Sequence, residues 1–144
     1  MTEKKTKKTL KEMMSERPVS LRHDQTASDA ATQMREAHVG GVLVTRDGKL
    51  CGIVTDRDLV VRCLADGVDP KSVHLGELCS KELVTLSPDS EVDEAISMMR
   101  DKAVRRVPVV EGEKPVGIVS IGDLALAVDR DSALAEISAA PPNR

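Results

Sequence analysis

Ala27, Ala30, Ala31, Met34 and Ala37 recur at the three- and four-residue intervals of one helical face, with polar residues between them. Val92, Ala95, Ile96, Met99 and Ala103 repeat much the same spacing further along. Both stretches predict amphipathic helices whose small alanines allow close packing. Thr26 or Ser28 is placed to cap the first, and Ser90 or Asp93 the second. The pattern then changes period. Val42-Leu43-Val44, a turn at Asp47-Gly48, and Leu50-Cys51-Gly52-Ile53-Val54 predict a β-hairpin. Val107-Pro108-Val109-Val110, a turn near Gly112, and Val116-Gly117-Ile118-Val119 predict a second one. Pro108 has no N–H for a ladder, which argues for a strand end or an edge position. Short helices follow over Asp56–Leu64 and Ile121–Val128, and brief helical turns precede each set at Thr9–Met14 and Leu75–Cys79.

These elements are two copies of one unit. An offset of 65 residues aligns Val19–Leu59 with Val84–Leu124 without a gap, and 15 of the 41 positions are identical, too many for chance similarity. The expected layout is a basic disordered tail over 1–8, a first copy over 9–65 and a linker over 66–74. A second copy over 75–130 and a C-terminal helix and tail over 131–144 complete it. Neither copy is large enough to bury a good core alone, which predicts an α+β fold. Each copy reads strand-helix-strand-strand-helix, with the two packed through their sheets about a pseudo-twofold axis.

Composition narrows the function more than the fold. Among 144 residues there is no Phe, Tyr or Trp, which excludes an aromatic stacking platform for single-stranded nucleic acid. Any base bound here lies against aliphatic side chains and backbone. The net charge of -3 gives no general attraction to nucleic acid. Cys51, Cys63 and Cys79 form no CxxC pair, a usage that fits a reducing compartment, so a cytoplasmic address is expected. Lys4, Lys5, Lys7 and Lys8 precede no apolar run, so the start reads as a solvated tail rather than a targeting segment.

Candidate chemistry is sparse. His23, His38 and His74 have no spacing that sets them beside a nucleophile, and they read as surface or helix-end residues. Cys63, His74 and Cys79 can be imagined around zinc, but packed thiols and a solvated imidazole account for them more simply. What repeats is Gly52-Ile53-Val54-Thr55-Asp56-Arg57-Asp58 against Gly117-Ile118-Val119-Ser120-Ile121-Gly122-Asp123. Two readings stand here. Thr55 and Ser120 suit N-caps, with Asp58 and Asp123 the acids of a capping box. The same helix start suits a phosphate, and the same acids suit ribose hydroxyls. Arg105-Arg106 precedes the second hairpin where the first copy has Gly40-Gly41. It is either a phosphate-binding pair or a solvated strand end.

The Leu10–Met14 turn, the segment Arg105-Arg106-Val107-Pro108-Val109 and the paired Gly-Ile-Val-Thr/Ser-x-x-Asp motifs resemble a stand-alone tandem cystathionine-beta-synthase (CBS) domain protein, or Bateman module. The resemblance spans about Leu10 to Val128. Thr55-Asp56-Arg57-Asp58-Leu59 and Gly67-Val68-Asp69-Pro70 are similar to small bacterial members. It implies a non-catalytic regulatory module with two clefts for an adenosine nucleotide (AMP, ADP or ATP, with S-adenosylmethionine behind them), and no required cofactor or metal. Asp58 and Asp123 then hold ribose, and Thr55 and Ser120 lie near ribose or phosphate. Val19 and Val84, with Val42 and Val107, line the adenine slot, and Arg105 and Arg106, followed by Pro108, meet phosphates. The alternative is an interaction or scaffold module with vestigial clefts. A homodimer is expected through residues 27–37 and 92–102, on the stripe Ala27, Ala30, Ala31, Met34, Ala37 and its second-copy equivalent. A regulated protein partner is also expected, with neither membrane nor nucleic acid.

Overall fold

The structure, a computed structural model, describes residues 8–16, 18–79, 83–128, 137, 139 and 140. The expected basic tail, apart from Lys8, and most of the expected C-terminal helix over 131–140 lie outside the described residues. Two compact units are present. One comprises Pro18–Val84 with Gly112–Pro115, and the other Met1–Arg17, Thr85–Glu111 and Val116–Arg144.

In the unit built on the first copy, β2 (Ser20–Arg22), β3 (Gly41–Arg46) and β4 (Lys49–Thr55) form a three-stranded sheet in the order β2-β3-β4. β2 runs parallel to β3, so the chain crosses over through α1 (Ala27–Ala37), while β3 and β4 are an antiparallel hairpin. Asp47 and Gly48 both have positive φ, 53° and 78°, between the paired residues Arg46 and Lys49. That is the two-residue turn the Asp-Gly pair predicts, because its twist matches that of the strands. Thr26 caps α1 in a reciprocal box with Asp29, at 3.2 and 3.0 Å. The core joins Ala27, Ala30 and Met34 of α1 to Val42, Val44 and Val54 of the sheet. Cys63 and the α3 (Leu75–Leu78) residues Leu75 and Leu78 complete it.

Asp56–Leu64 is helical as expected, but not uniformly. The turn α2 (Asp56–Asp58) passes into a π-helical stretch over Leu59–Leu64, closed by the Ala65 N–H donating to the Val60 carbonyl at 2.8 Å. Val60, Val61 and Leu64 are left exposed there, and Cys63 is buried.

The other unit carries β1 (Ser15–Glu16), β5 (Arg106–Glu111) and β6 (Lys114–Ser120) in the order β1-β6-β5, with α4 (Val92–Lys102) and α5 (Ile121–Val128). Pro108 is fully buried inside β5 rather than at its end, and β5 is the edge of the three. The matching Leu43 N–H donates to the Val19 carbonyl at 2.8 Å, a bond that proline cannot make. Where β2 is a parallel strand, this unit accordingly keeps, among the described residues, a single parallel bridge, Leu86 to Val109. The expected cap of α4 is also corrected. Glu91 holds the N-cap position without a side-chain bond, Ser90 Oγ accepts from the Ser87 N–H at 3.1 Å, and Asp93 lies in the first turn.

The copies read from sequence and the compact units are therefore not the same division. The short 3₁₀ turn Leu10–Glu12 belongs to the unit of the second copy, and α3 to that of the first. Thr9 bridges Glu91 as His74 bridges Thr26, at the same 65-residue offset.

The expected dimer stripe is largely taken up within the chain, although Ala31 and Ala37 stay exposed and Ile96 half-buried. Ala27, Ala30 and Met34 are 2, 0 and 8 % exposed, and Val92, Ala95 and Met99 are 0, 0 and 7 %. A three-stranded sheet must be covered on its apolar side, and these faces do the covering. No helix among the described residues is long and apolar enough to cross a membrane.

Candidate functional site

In each copy a strand runs directly into a helix, with Thr55 or Ser120 at the junction. Both junctions form capping boxes. Thr55 Oγ1 accepts from the Asp58 N–H at 3.2 Å, and Asp58 Oδ2 accepts from the Thr55 N–H at 2.8 Å and from Thr55 Oγ1 at 3.0 Å. Ser120 Oγ accepts from the Asp123 N–H at 3.2 Å, and Asp123 Oδ2 from the Ser120 N–H at 2.9 Å. The first helical amides are satisfied too. Asp56 N–H donates to the Gly40 carbonyl at 3.0 Å, and Ile121 N–H to the Arg105 carbonyl at 2.9 Å. Much of the phosphate-binding potential of each helix start is thus consumed by the chain itself. In the second copy the other carboxylate oxygen, Asp123 Oδ1, accepts no hydrogen bond among the described residues.

A groove of about 250 Å³ is lined by Asp123, Leu126 and Ala127 of α5 and by Lys8, Glu12 and Met13 of the lead segment. Positions 123, 126 and 127 share one helical face, so the wall follows from α-helical spacing. The opposite wall is held by the Val92 N–H donating to the Lys8 carbonyl at 3.0 Å and the Leu10 N–H to the Ser90 carbonyl at 2.9 Å. One cation, two acids and an apolar floor suit the polar end of a ligand more than a whole drug-sized molecule.

The remaining expected site residues divide. Arg105 is exposed, and Arg106 is half-buried at the start of β5. Val42 and Val107 are 0 % exposed and Pro108 is fully buried, so their side chains have no surface left for a ligand. Val19 and Val84 are half-buried, Val19 packing against the first-copy core. Lys8, Glu12, Met13, Leu126 and Ala127 escaped the sequence reading. Lys8 looked like part of a solvated tail, and the only signal for the others was the repeat of the lead turn.

The thiols are packed. Cys63 donates to the Val68 carbonyl at 3.5 Å and Cys79 to the Gly76 carbonyl at 3.6 Å. Burial, with Cys51 beside it, holds the Cys79 thiol above its ordinary pKa. Among the described residues no three His, Cys, Asp or Glu side chains converge on a point.

The family model of the CBS domain matches residues 10–64 and 75–130. CBS domain-containing protein YhcV of Bacillus subtilis is 35% identical over 118 residues, covering 82% of this chain and 84% of its own. The crystal structure of Hypoxic Response Protein I with two coordinated zinc ions superposes with a TM-score of 0.73 at 33% identity. It covers 82% of this chain and 97% of that one. A hexameric CBS-CP12 protein from bloom-forming cyanobacteria gives a TM-score of 0.73 at 29% identity, covering 86% of this chain and 72% of that one. With both copies matched, the chain belongs to the CBS-domain family as a tandem pair, a Bateman module.

Proposed function

We propose that this regulatory module senses an adenosine nucleotide of the AMP, ADP or ATP class, bound through Asp123, and that binding biases a contact with a regulated protein. Bateman modules are non-catalytic, and the role asked of Asp123 is recognition alone. The observation that carries the reading is the groove that Asp123 lines together with Lys8 and Met13. The free oxygen of Asp123 accepts ribose hydroxyls while Oδ2 keeps its bond to the Ser120 N–H. Lys8, with Arg105 and Arg106, supplies positive charge for phosphates, and Met13 and Leu126 offer the aliphatic surface a base needs in a chain without aromatics. Three free thiols, Cys51, Cys63 and Cys79, accord with a reducing cytoplasm.

Calorimetric titration with AMP, ATP and S-adenosylmethionine tests the reading. Heat is expected with AMP or ATP and its loss in Asp123→Asn. Silence with all three at millimolar concentration refutes the sensor. A scaffold function is the second reading. It is favoured by an apolar groove of about 340 Å³ between α4 and α5, where Ile121 and Val128 are 47 and 52 % exposed. A second copy seated there gives a homodimer by the outer faces of the helices instead of their buried stripes. Ile121→Glu is expected to leave a monomer by sedimentation equilibrium. A mass near 15.5 kDa in the unmutated protein excludes the dimer.

A further inference from the structure

The residues that line the Asp123 groove have sequence counterparts 65 residues earlier, where Arg62 reaches across to Leu78. Asp123, Leu126 and Ala127 correspond to Asp58, Val61 and Arg62, and Lys8, Glu12 and Met13 to Val73, Glu77 and Leu78. Arg62 thus stands where the second copy has alanine. Its Nη1 donates to the carbonyl of Leu78, the equivalent of Met13 on the far wall, at 3.1 Å. Its Nε lies 3.9 Å from Asp58 Oδ1. Asp58 Oδ2 already accepts from the Thr55 N–H and Oγ1 at 2.8 and 3.0 Å. Both oxygens of the first-copy carboxylate therefore face donors within the chain. Asp123 Oδ1 faces none among the described residues.

We propose that Arg62 is a built-in occupant of the first-copy groove, so that each chain presents one open nucleotide groove, at Asp123, kept open by Ala127. This rests on the reading of the Asp123 groove as the ligand site. Exclusion comes mainly from volume. The Arg62 side chain is 49 % exposed and its pair with Asp58 is long, so the ion pair itself holds the arginine only weakly. The side chain still runs from beside Asp58 to the Leu78 carbonyl, where its Nη1 bond holds it. The two copies thus differ as sites at Arg62 against Ala127 and at Val73 against Lys8, in addition to the Arg105-Arg106 difference before the second hairpin.

Two measurements on the full chain test this. Carbodiimide labelling of carboxylates, read by mass spectrometry, reports access to each aspartate without any nucleotide. Asp58 is expected to label more slowly than Asp123, and Arg62→Ala to raise Asp58 to the rate of Asp123. Ala127→Arg puts the same plug in the second copy and is expected to protect Asp123. In calorimetry with AMP, one equivalent per chain is expected for the unmutated protein and two for Arg62→Ala. Ala127→Arg should weaken binding about tenfold or more, the scale of losing hydrogen bonds to a charged group. Equal labelling of Asp58 and Asp123 in the unmutated protein overturns the inference. Weaker first-copy binding in Arg62→Ala does the same, since Arg62 would then hold the ligand instead of excluding it. If the labelling follows expectation but no variant binds AMP, the plug stands and the nucleotide reading falls.

Discussion

Leu10 opens the lead turn of the first copy, yet its N–H donates to the carbonyl of Ser90 in the second, at 2.9 Å. Leu75 and Gln25 repeat the bond at 2.8 Å, and both leucines are 0 % exposed. Each copy is thus finished by the short turn that begins the other.

Leu10→Ala is therefore expected to loosen the second copy rather than the first. Truncating a fully buried leucine typically costs about 2–5 kcal/mol through lost burial and the cavity left behind. In hydrogen exchange, amides of α4 and β5 should lose protection while those of α1 and β3 keep theirs, and Leu75→Ala should do the reverse. Uniform loss in both copies after either change would contradict the crossed division.

The caps and the candidate ligand contact can be separated at one motif. Ser120→Ala removes the acceptor of the Asp123 N–H and is expected to cost about 1 kcal/mol of stability, the usual worth of an N-cap. AMP affinity should change little, because the groove-facing oxygen is untouched. Asp123→Asn leaves an oxygen to accept from the Ser120 N–H but carries no charge into the groove. It should lose AMP binding with a smaller change in the unfolding midpoint. If Asp123→Asn binds AMP normally, the aspartate is a cap and nothing more.

The repeat, the hairpin at Asp47-Gly48 and the box at Thr26 were legible because each depends on residues close together in sequence. The box partners of Thr55 and Ser120 were legible for the same reason. Whether their aspartates also face open space was not, because that depends on the lead turn folding back from the other copy. Periodicity shows that the alanine faces are apolar, not what covers them. Gly52 and Gly117 repeat visibly, but the neighbour of Gly117 was not legible: a Cβ there would come 2.5 Å from Met14 Sδ, the movable end of a side chain next to β1, which pairs with β6. Arg62 against Ala127 was in plain view. It gained meaning only from the bond of Arg62 to the carbonyl of Leu78, the repeat counterpart of Met13.

The thiols should react in an order set by burial. Cys79 has an ordinary pKa of 9.0, and burial, with Cys51 beside it, raises it in the folded chain. Between 9.0 and that higher value the unfolded chain ionises the thiol and the folded chain does not. Its contribution to stability is therefore intact below 9.0 and is lost as pH rises above it. At pH 8 iodoacetamide is expected to label Cys51, which is half-buried, ahead of Cys63 and Cys79. Labelling of Cys79 first would mean that its burial is not maintained in solution.

The ends of α1 and α4 supply the last prediction. Both close on a left-handed residue, His38 at φ 55° and Ala103 at φ 54°. The following residues, Val39 and Val104, donate their N–H to the Met34 and Met99 carbonyls, at 3.1 Å in each case. This six-to-one bond with an apolar residue just past the cap is a Schellman ending, whose left-handed position is most often glycine. Histidine tolerates that conformation better than alanine, whose Cβ crowds the following carbonyl at a cost of about 1–2 kcal/mol. Glycine removes the crowding but gives back about 0.5–1 kcal/mol in unfolded-chain entropy. Ala103→Gly should therefore stabilise the protein by up to about 1 kcal/mol, and His38→Gly by less. Ala103→Val, β-branched at the same φ, should destabilise it. Denaturant unfolding of the three variants under identical conditions checks the order. A less stable Ala103→Gly would show that the alanine side chain has packing worth more than its backbone strain.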